Sequence, residues 1–377
     1  MPVTDYSTYG SEGLKPVLIF PGGMPRALDH LQRCLTEGIP VVGASSLGYD
    51  VASSQYPAWC HLPFVNTPEF DAALQRAINN HGIGSIFSPN PVAWDYLQRR
   101  LASLAPGVRL VNASPVNEML ISYRASLRHA RALLACSLAL ASPAFPRSPL
   151  SENELAALFR HADTIPGMCD NEKICALHEI ARASVAGDVV EIGSWWGKSA
   201  FVLARLALCF EVGKLLCVDP WSNDHLVQDD GKSLVDSVSA QVDAVEALGI
   251  FEINLLPYNA NHVNDLRMTS TEAARHYRIR RSASTPAFGT TQYRGEISIL
   301  HIDGNHSYGA ASADIAAWSD LILPGGWMII DDYIWPFGDG PRTAGDEFLA
   351  ANLARISTAF VMGSALFLQF GETTASS

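Results

Sequence analysis

A chain of 377 residues, 48% hydrophobic and 17% charged, is long enough for two domains with their own cores and too apolar to be disordered. Its net charge of −12 argues against a nucleic-acid backbone as partner, because such partners need a lysine- and arginine-rich face. The longest apolar runs are too short to span a bilayer, no charged-then-apolar leader opens the chain, and seven scattered cysteines lack a Cys-x-x-Cys pair. These features together predict a soluble, cytoplasmic chain with reduced thiols and no membrane partner.

In chain order, the first predicted strand is Pro16 to Phe20, running into the turn Pro21-Gly22-Gly23. A helical Leu28, Leu31, Leu35 face, a strand at Ile39 to Ala44, a helix at about Pro68 to His81, a strand at Gly84 to Ser88 and a helix from Val92 follow. This β-α-β-α-β order predicts a small parallel sheet and an accessory α/β domain over residues 1–115. It resembles the leading domain of ATP-grasp ligases, without the ATP-binding parts that would follow. Its glycine turn invites a nucleotide reading, but no acid is well placed after the second strand. A helical connector is predicted over residues 116–150, with its helix from Val116 to Leu140, and a second domain over residues 151–377.

The second domain carries the most informative stretch, in which the strand Val189-Val190-Glu191-Ile192 runs through Gly193-Ser194-Trp195-Trp196-Gly197-Lys198-Ser199 into a helical pattern. Glycines at such a turn let backbone approach a ligand, and the helix's first N–H groups face any anion placed there. A Walker A loop needs four residues between its glycine and Gly-Lys-Ser, and only three stand here. A dinucleotide fingerprint needs glycine where Trp195 stands. What remains is Glu-x-Gly-x-x-x-Gly after an apolar strand, which resembles motif I of the class I S-adenosylmethionine-dependent methyltransferases. Leu215 to Asp219 reads as the next strand, ending in an acid followed by Pro220 and Trp221. A third strand is expected at 251–256. Thr269 to Gly295, polar and long for a connection, reads as a lid, an interface arm or a disordered segment. Ile165 to Asp170, before the first helix, is either a flap over the cofactor or a plain loop.

Two further apolar strands, at 298–303 and 327–332, finish in Asp303 and in the pair Asp331-Asp332. With right-handed crossovers these ends lie on one sheet edge, beside the ends of the first two strands. Buried carboxylates without partners are costly, and a hard divalent cation such as Mg²⁺ would relieve them through oxygen ligands. A hairpin, Ser357 to Met362 with Ala365 to Phe370, closes the sheet.

The runs Asp303-Gly304-Asn305-His306-Ser307-Tyr308 and Pro324-Gly325-Gly326, the latter followed after four intervening residues by Asp331-Asp332-Tyr333, resemble the metal-dependent macrocin and mycinamicin type of sugar O-methyltransferase. That family tends to have Glu-Asp where this chain has Asp331-Asp332. The resemblance implies a Rossmann-like sheet of order 3-2-1-4-5-7-6 and S-adenosylmethionine as methyl donor. It implies a cofactor site of Glu191, Gly193, Ser194, Trp195, Gly197, Ser199, Asp219 and Trp221, with Asp219 on the ribose. It also implies metal ligands Asp303, Asp331 and Asp332, and His306 as general base. The acceptor would be a hydroxyl of a small molecule, a sugar or glycosylated natural product, and the chain a homo-oligomer. His301 reads as a core histidine. Two other readings stay open, a non-catalytic nucleotide- or sugar-binding scaffold on this fold and a phosphotransferase with a P-loop-like turn.

Overall fold

The computed structural model describes residues 14–136, 138, 140, 146–225, 241–258 and 261–371. They form two compact units, Met1–Ser122 and Tyr123–Ser377.

In the first unit β1 (Val17–Ile19), β2 (Val41–Ser45), β3 (Trp59–His61), β4 (Ser85–Phe87) and β5 (Arg109–Leu110) make one parallel sheet of order β3-β2-β1-β4-β5. The chain travels outward from β1 to β3 and then returns to the other side of β1, so the order reverses between β1 and β4. Three helices flank the strands, α1 (Pro25–Thr36), α2 (Phe70–His81) and α3 (Pro91–Leu104). Proline at the first position starts α1 and α3, where its missing N–H costs no hydrogen bond, and Asn90 caps α3 by accepting from the N–H groups of Val92 and Ala93. Gly82, at φ +63°, ends α2 in the left-handed conformation that glycine adopts freely. α4 (Pro115–Ala135) occupies most of the predicted connector helix; residues 137 and 139 of that prediction lie outside the described residues.

The main sheet of the second unit has, among the described residues, seven strands: β6 (Asp188–Ile192), β7 (Leu215–Val218), β8 (Val263–Leu266), β11 (Ile297–Ile302), β12 (Ile322–Ile330), β13 (Ile356–Met362) and β14 (Ala365–Phe370). Their order, β13-β14-β12-β11-β6-β7-β8, is the 3-2-1-4-5-7-6 arrangement, with β14 the strand that runs antiparallel to β12. Consecutive residues along each central strand point to opposite faces, and both faces are covered. Val189, Ile299, Trp327 and Ile329 pack with α5 (Glu152–Ala162), α6 (Asn171–Ala183), α7 (Lys198–Cys209) and α8 (Ala244–Leu255). Val190, Leu300, Met328 and Ile330 pack on the other face with α9 (Ser270–Arg280), α10 (Tyr308–Trp318) and α11 (Gly340–Ala351). That double cover explains why these strands read as continuous apolar runs.

The third strand is not at 251–256. Those residues belong to α8, where Ala247, Phe251 and Leu255, four residues apart, form one buried stripe. The strand is Val263-Asn264-Asp265-Leu266, whose two buried polar residues hide it from an apolar pattern. The Asn264 amide donates to the carbonyls of Ala283 and Gly289 and to Thr291, and Asp265 accepts from Arg267 through Oδ2. The same bonds show that Thr269 to Gly295 is no loose arm. It is α9 followed by a hairpin of β9 (Ser282–Thr285) and β10 (Gly289–Gln292), pinned by buried Tyr277, whose hydroxyl donates to Asp188 at 2.5 Å.

Candidate functional site

The turn after β6 is built from backbone that needs glycine. Gly193 and Gly197 have φ of +82° and +87°, and Trp195 is also left-handed at +44°. A Cβ on Gly193 would collide with the carbonyl of Asp303, so the turn lies directly against the end of β11. Gly197 is the N-cap of α7 and carries no side-chain cap, which leaves the helix's first N–H groups to the turn; Ser199, in that first turn, is buried. Ser194 is buried as well.

Asp219, just past β7, stitches this turn together. Its Oδ2 accepts from the Trp195 N–H at 3.0 Å and its Oδ1 from the Trp221 N–H at 2.8 Å, while the Trp221 indole donates to the Trp195 carbonyl at 2.9 Å. Burial raises the Asp219 pKa, and those N–H groups oppose the rise. Each oxygen retains a lone pair, so a ribose can still be received, yet the residue also fixes the shape of the turn. Glu191 is fully buried and sits 3.1 Å from Nδ1 of His301, with its Oε2 lacking a protein partner among the described residues. The flanking segment 165–170 is anchored by buried Ile165 and Cys169, and Lys198 donates to the Gly167 carbonyl at 3.1 Å.

The ends of β11 and β12 bring three acids and two histidines together, but the acids differ in their partners. Asp331 is saturated. Its Oδ1 accepts from the Asp332 N–H at 2.9 Å and from Ser364 at 3.0 Å, and its Oδ2 meets the ammonium of Lys173 and lies 3.3 Å from Nε2 of His301. Lys173 comes from α6 and is buried with its partner. Burial alone would disfavour the charges of all three groups, but their mutual attraction wins. Lys173 is held well above the usual ammonium range, Asp331 well below the carboxylate range, and His301 is pushed up to about 10 between Asp331 and Glu191. His301 is thus a core histidine whose two carboxylate neighbours favour its charged form.

Asp303, Asp332 and His306 form the other group, their ligand atoms all within 4.8 Å of one another. His306 Nε2 is 2.9 Å from Asp332 Oδ2 and 3.9 Å from Asp303 Oδ1, and the ring meets Trp335 edge-on at 4.5 Å. Asp332 holds a left-handed φ of +50°, a conformation Asp tolerates better than most residues and one that aims its carboxylate at His306. Burial and the Asp331 charge push the Asp303 carboxyl well above its ordinary range, so a positive charge beside it would be welcome. Of the expected metal set, Asp331 also forms a group with His301 and Asp303 whose ligand atoms lie within 4.8 Å of one another, but it is engaged by lysine here, while Asp303 and Asp332 have no lysine or arginine partner among the described residues. Sequence reasoning missed Lys173, because a lysine within an amphipathic helix carries no sign that it points into the sheet edge.

Residues 190–333 match a family of methyltransferase domains, a stretch that includes the glycine turn, Asp219, Asp303 and both ends of the Asp331-Asp332 pair. Over those residues the C-terminal unit has the sequence of a methyltransferase domain, carried on a sheet of the 3-2-1-4-5-7-6 order. No curated protein matches the chain. Among solved structures it is similar to the calicheamicin methyltransferase CalS11, at 15% identity and TM-score 0.39, covering 70% of this chain and 95% of that one. It is also similar to the O-methyltransferase TomG from Streptomyces achromogenes, at 13% identity and TM-score 0.36, covering 75% and 99%. A third likeness is to the mycinamycin-pathway methyltransferase MycE in complex with Mg, at 17% identity and TM-score 0.30, covering 51% and 47%. No helix among the described residues is long and apolar enough to cross a membrane.

Proposed function

We propose that the chain transfers the methyl group of S-adenosylmethionine to a hydroxyl oxygen of a small molecule, a sugar or glycosylated natural product, with a hard divalent cation assisting. The observation that carries the reading is the contact of Gly193 with the backbone of Asp303, which puts the cofactor turn beside the acid cluster. The donor supplies an already activated methyl, so the protein's work is to align an oxygen with it and take its proton. Gly193, Gly197 and the uncapped start of α7 form the cradle for the donor, and Asp219 receives its ribose. Asp303 and Asp332 would hold the cation, which when bound lowers the pKa of the acceptor hydroxyl.

His306 takes the proton. Its Nε2 lies 2.9 Å from Asp332 Oδ2 and 3.9 Å from Asp303 Oδ1, so the ring edge that meets the acids is the one beside the acceptor oxygen. As the O–CH₃ bond forms and the S–CH₃ bond breaks, that proton leaves the oxygen for the imidazole and a neutral thioether departs. Asp332 stabilises the imidazolium, and Lys173 and His301 neutralise Asp331 and Glu191 beneath the site.

A second reading has one observation in its favour. The Lys173 ammonium already occupies Asp331, so the protein's own cation replaces the metal. Chelation decides between the two. With candidate sugars and a labelled methyl donor, the first reading expects excess chelator to abolish transfer and added Mg²⁺ to restore it, while the second expects full activity in chelator. In either case His306→Ala should lower turnover by about 10²–10⁴ and leave donor affinity unchanged. A His306→Ala variant with wild-type turnover removes the base role.

A further inference from the structure

The N-terminal unit has a crevice of its own. A cavity of about 1020 Å³ opens at the carboxyl ends of β1 to β4, lined by the turn after β1, the segment after β2 and the start of α3. It lies where the strand order reverses between β1 and β4, the place at which open parallel sheets receive ligands, and its volume is that of a small-molecule site. The rim carries three apolar side chains that water should not favour: Leu47 is 55% exposed, Phe64 57% and Val92 72%. Apolar chains ringing a concave site mark a surface that something covers.

Two carboxylates line the cavity: Asp95, paired with Arg99, and Asp50, which has no such partner among the described residues. Contrary to the expectation that no acid is well placed after the second strand, Asp50, the N-cap of the short helical turn Val51–Gln55, lies against the glycines after β1. Its Oδ1 accepts from the Ala52 N–H at 3.0 Å, and its Oδ2 lies where a Cβ on Gly23 would come within 2.7 Å. The carboxylate is fixed by backbone and kept in place by a glycine, with no cation among its hydrogen-bond partners.

We propose that this crevice binds a nucleoside or nucleotide, with the sugar hydroxyls donating to Asp50 and the planar base lying against Leu47, Phe64 and Val92. The chemistry separates this ligand from its rivals. A bare anion at the glycine turn would be repelled by Asp50, a lipid chain would leave Asp50 unpaired, and a free sugar would leave the apolar rim wet. A flat apolar ring joined to a diol satisfies both features. Arg99 and Arg100 also line the cavity, in exposed pairs with Asp95 and Asp71 at 2.6 and 2.5 Å; such pairs are weak enough to rearrange toward a phosphate.

The test is equilibrium titration of the full chain with adenosine, uridine and AMP, with S-adenosylhomocysteine present at saturation to fill the cofactor turn of the C-terminal unit. The proposal expects a further saturable site, one per chain. Asp50→Ala and, separately, Val92→Arg should each weaken it by about tenfold or more. Val92 is exposed, so its variant keeps the core intact even if Asp50→Ala should fail to fold. AMP binding tighter than adenosine brings in Arg99 and Arg100, and equal affinities make the nucleoside alone the ligand; both outcomes support the proposal. No binding up to millimolar concentrations, binding abolished by S-adenosylhomocysteine, or affinity unchanged in Val92→Arg would overturn it. None of these results depends on whether the C-terminal unit methylates a sugar.

Discussion

The chain contains two parallel-sheet edges with a glycine turn after the first strand, and they are furnished in opposite ways. The N-terminal edge has an open cavity, exposed apolar side chains and a fixed carboxylate, Asp50. The C-terminal edge packs its turn against Asp303 and gathers Glu191, His301, Asp303, Asp331, Asp332, Lys173 and His306 over a few ångströms. The fold supplies the position in both cases, and the side chains decide whether that position serves binding or proton and charge chemistry. Neutralisation is the deeper difference. Ion pairs near the N-terminal crevice are at the surface, whereas Asp331 is compensated inside the protein by Lys173 and His301.

The largest expected effect tests that contrast. Lys173→Met leaves Asp331 buried without its ammonium and should cost about 3–5 kcal/mol in chemical denaturation, as breaking one side of a buried pair does. Arg100→Ala, which removes an exposed partner of Asp71, should leave the denaturation midpoint where it is. Equal losses for the two variants would erase the distinction between the edges.

A smaller effect concerns pH. Asp314, buried on α10 near Gly304, has its carboxyl pushed up to about 6 by burial, against which only a hydrogen bond from Ser270 acts. The folded chain therefore holds a proton that the unfolded chain has released between about pH 4 and 6. This contribution to stability is complete below that window and is lost as pH rises through it, on the order of 2–3 kcal/mol by pH 7. Asp314→Asn should flatten the decline and raise stability at neutral pH. A variant whose thermal midpoint between pH 4 and 7 follows the wild type would show that Asp314 does not titrate in this way.

Much of this organisation was legible in the chain. Strands covered on both faces read as unbroken apolar runs, so β6, β7, β11 and β12 and their terminal acids stood out, as did the glycine turn between Gly193 and Gly197. What escaped was whatever depends on partners distant in sequence. β8 was hidden because Asn264 and Asp265 are bonded by the hairpin and by Arg267, and α8 was taken for a strand because Phe251 to Leu255 alternates locally. Lys173 and Asp331 lie 158 residues apart, so nothing local announces their pairing. Asp50 was passed over because it trails β2 by five residues, at the N-cap of a helical turn.

The central claim, that the C-terminal turn receives a methyl donor, is tested most directly by titrating the full chain with S-adenosylmethionine and comparing wild type with Asp219→Ala. The account predicts a saturable site in the wild type. It also predicts a loss of about 1–3 kcal/mol in the variant, which forfeits both the ribose contact and the two N–H groups that shape the turn. Absence of saturable binding, or the same affinity in both proteins, would contradict it.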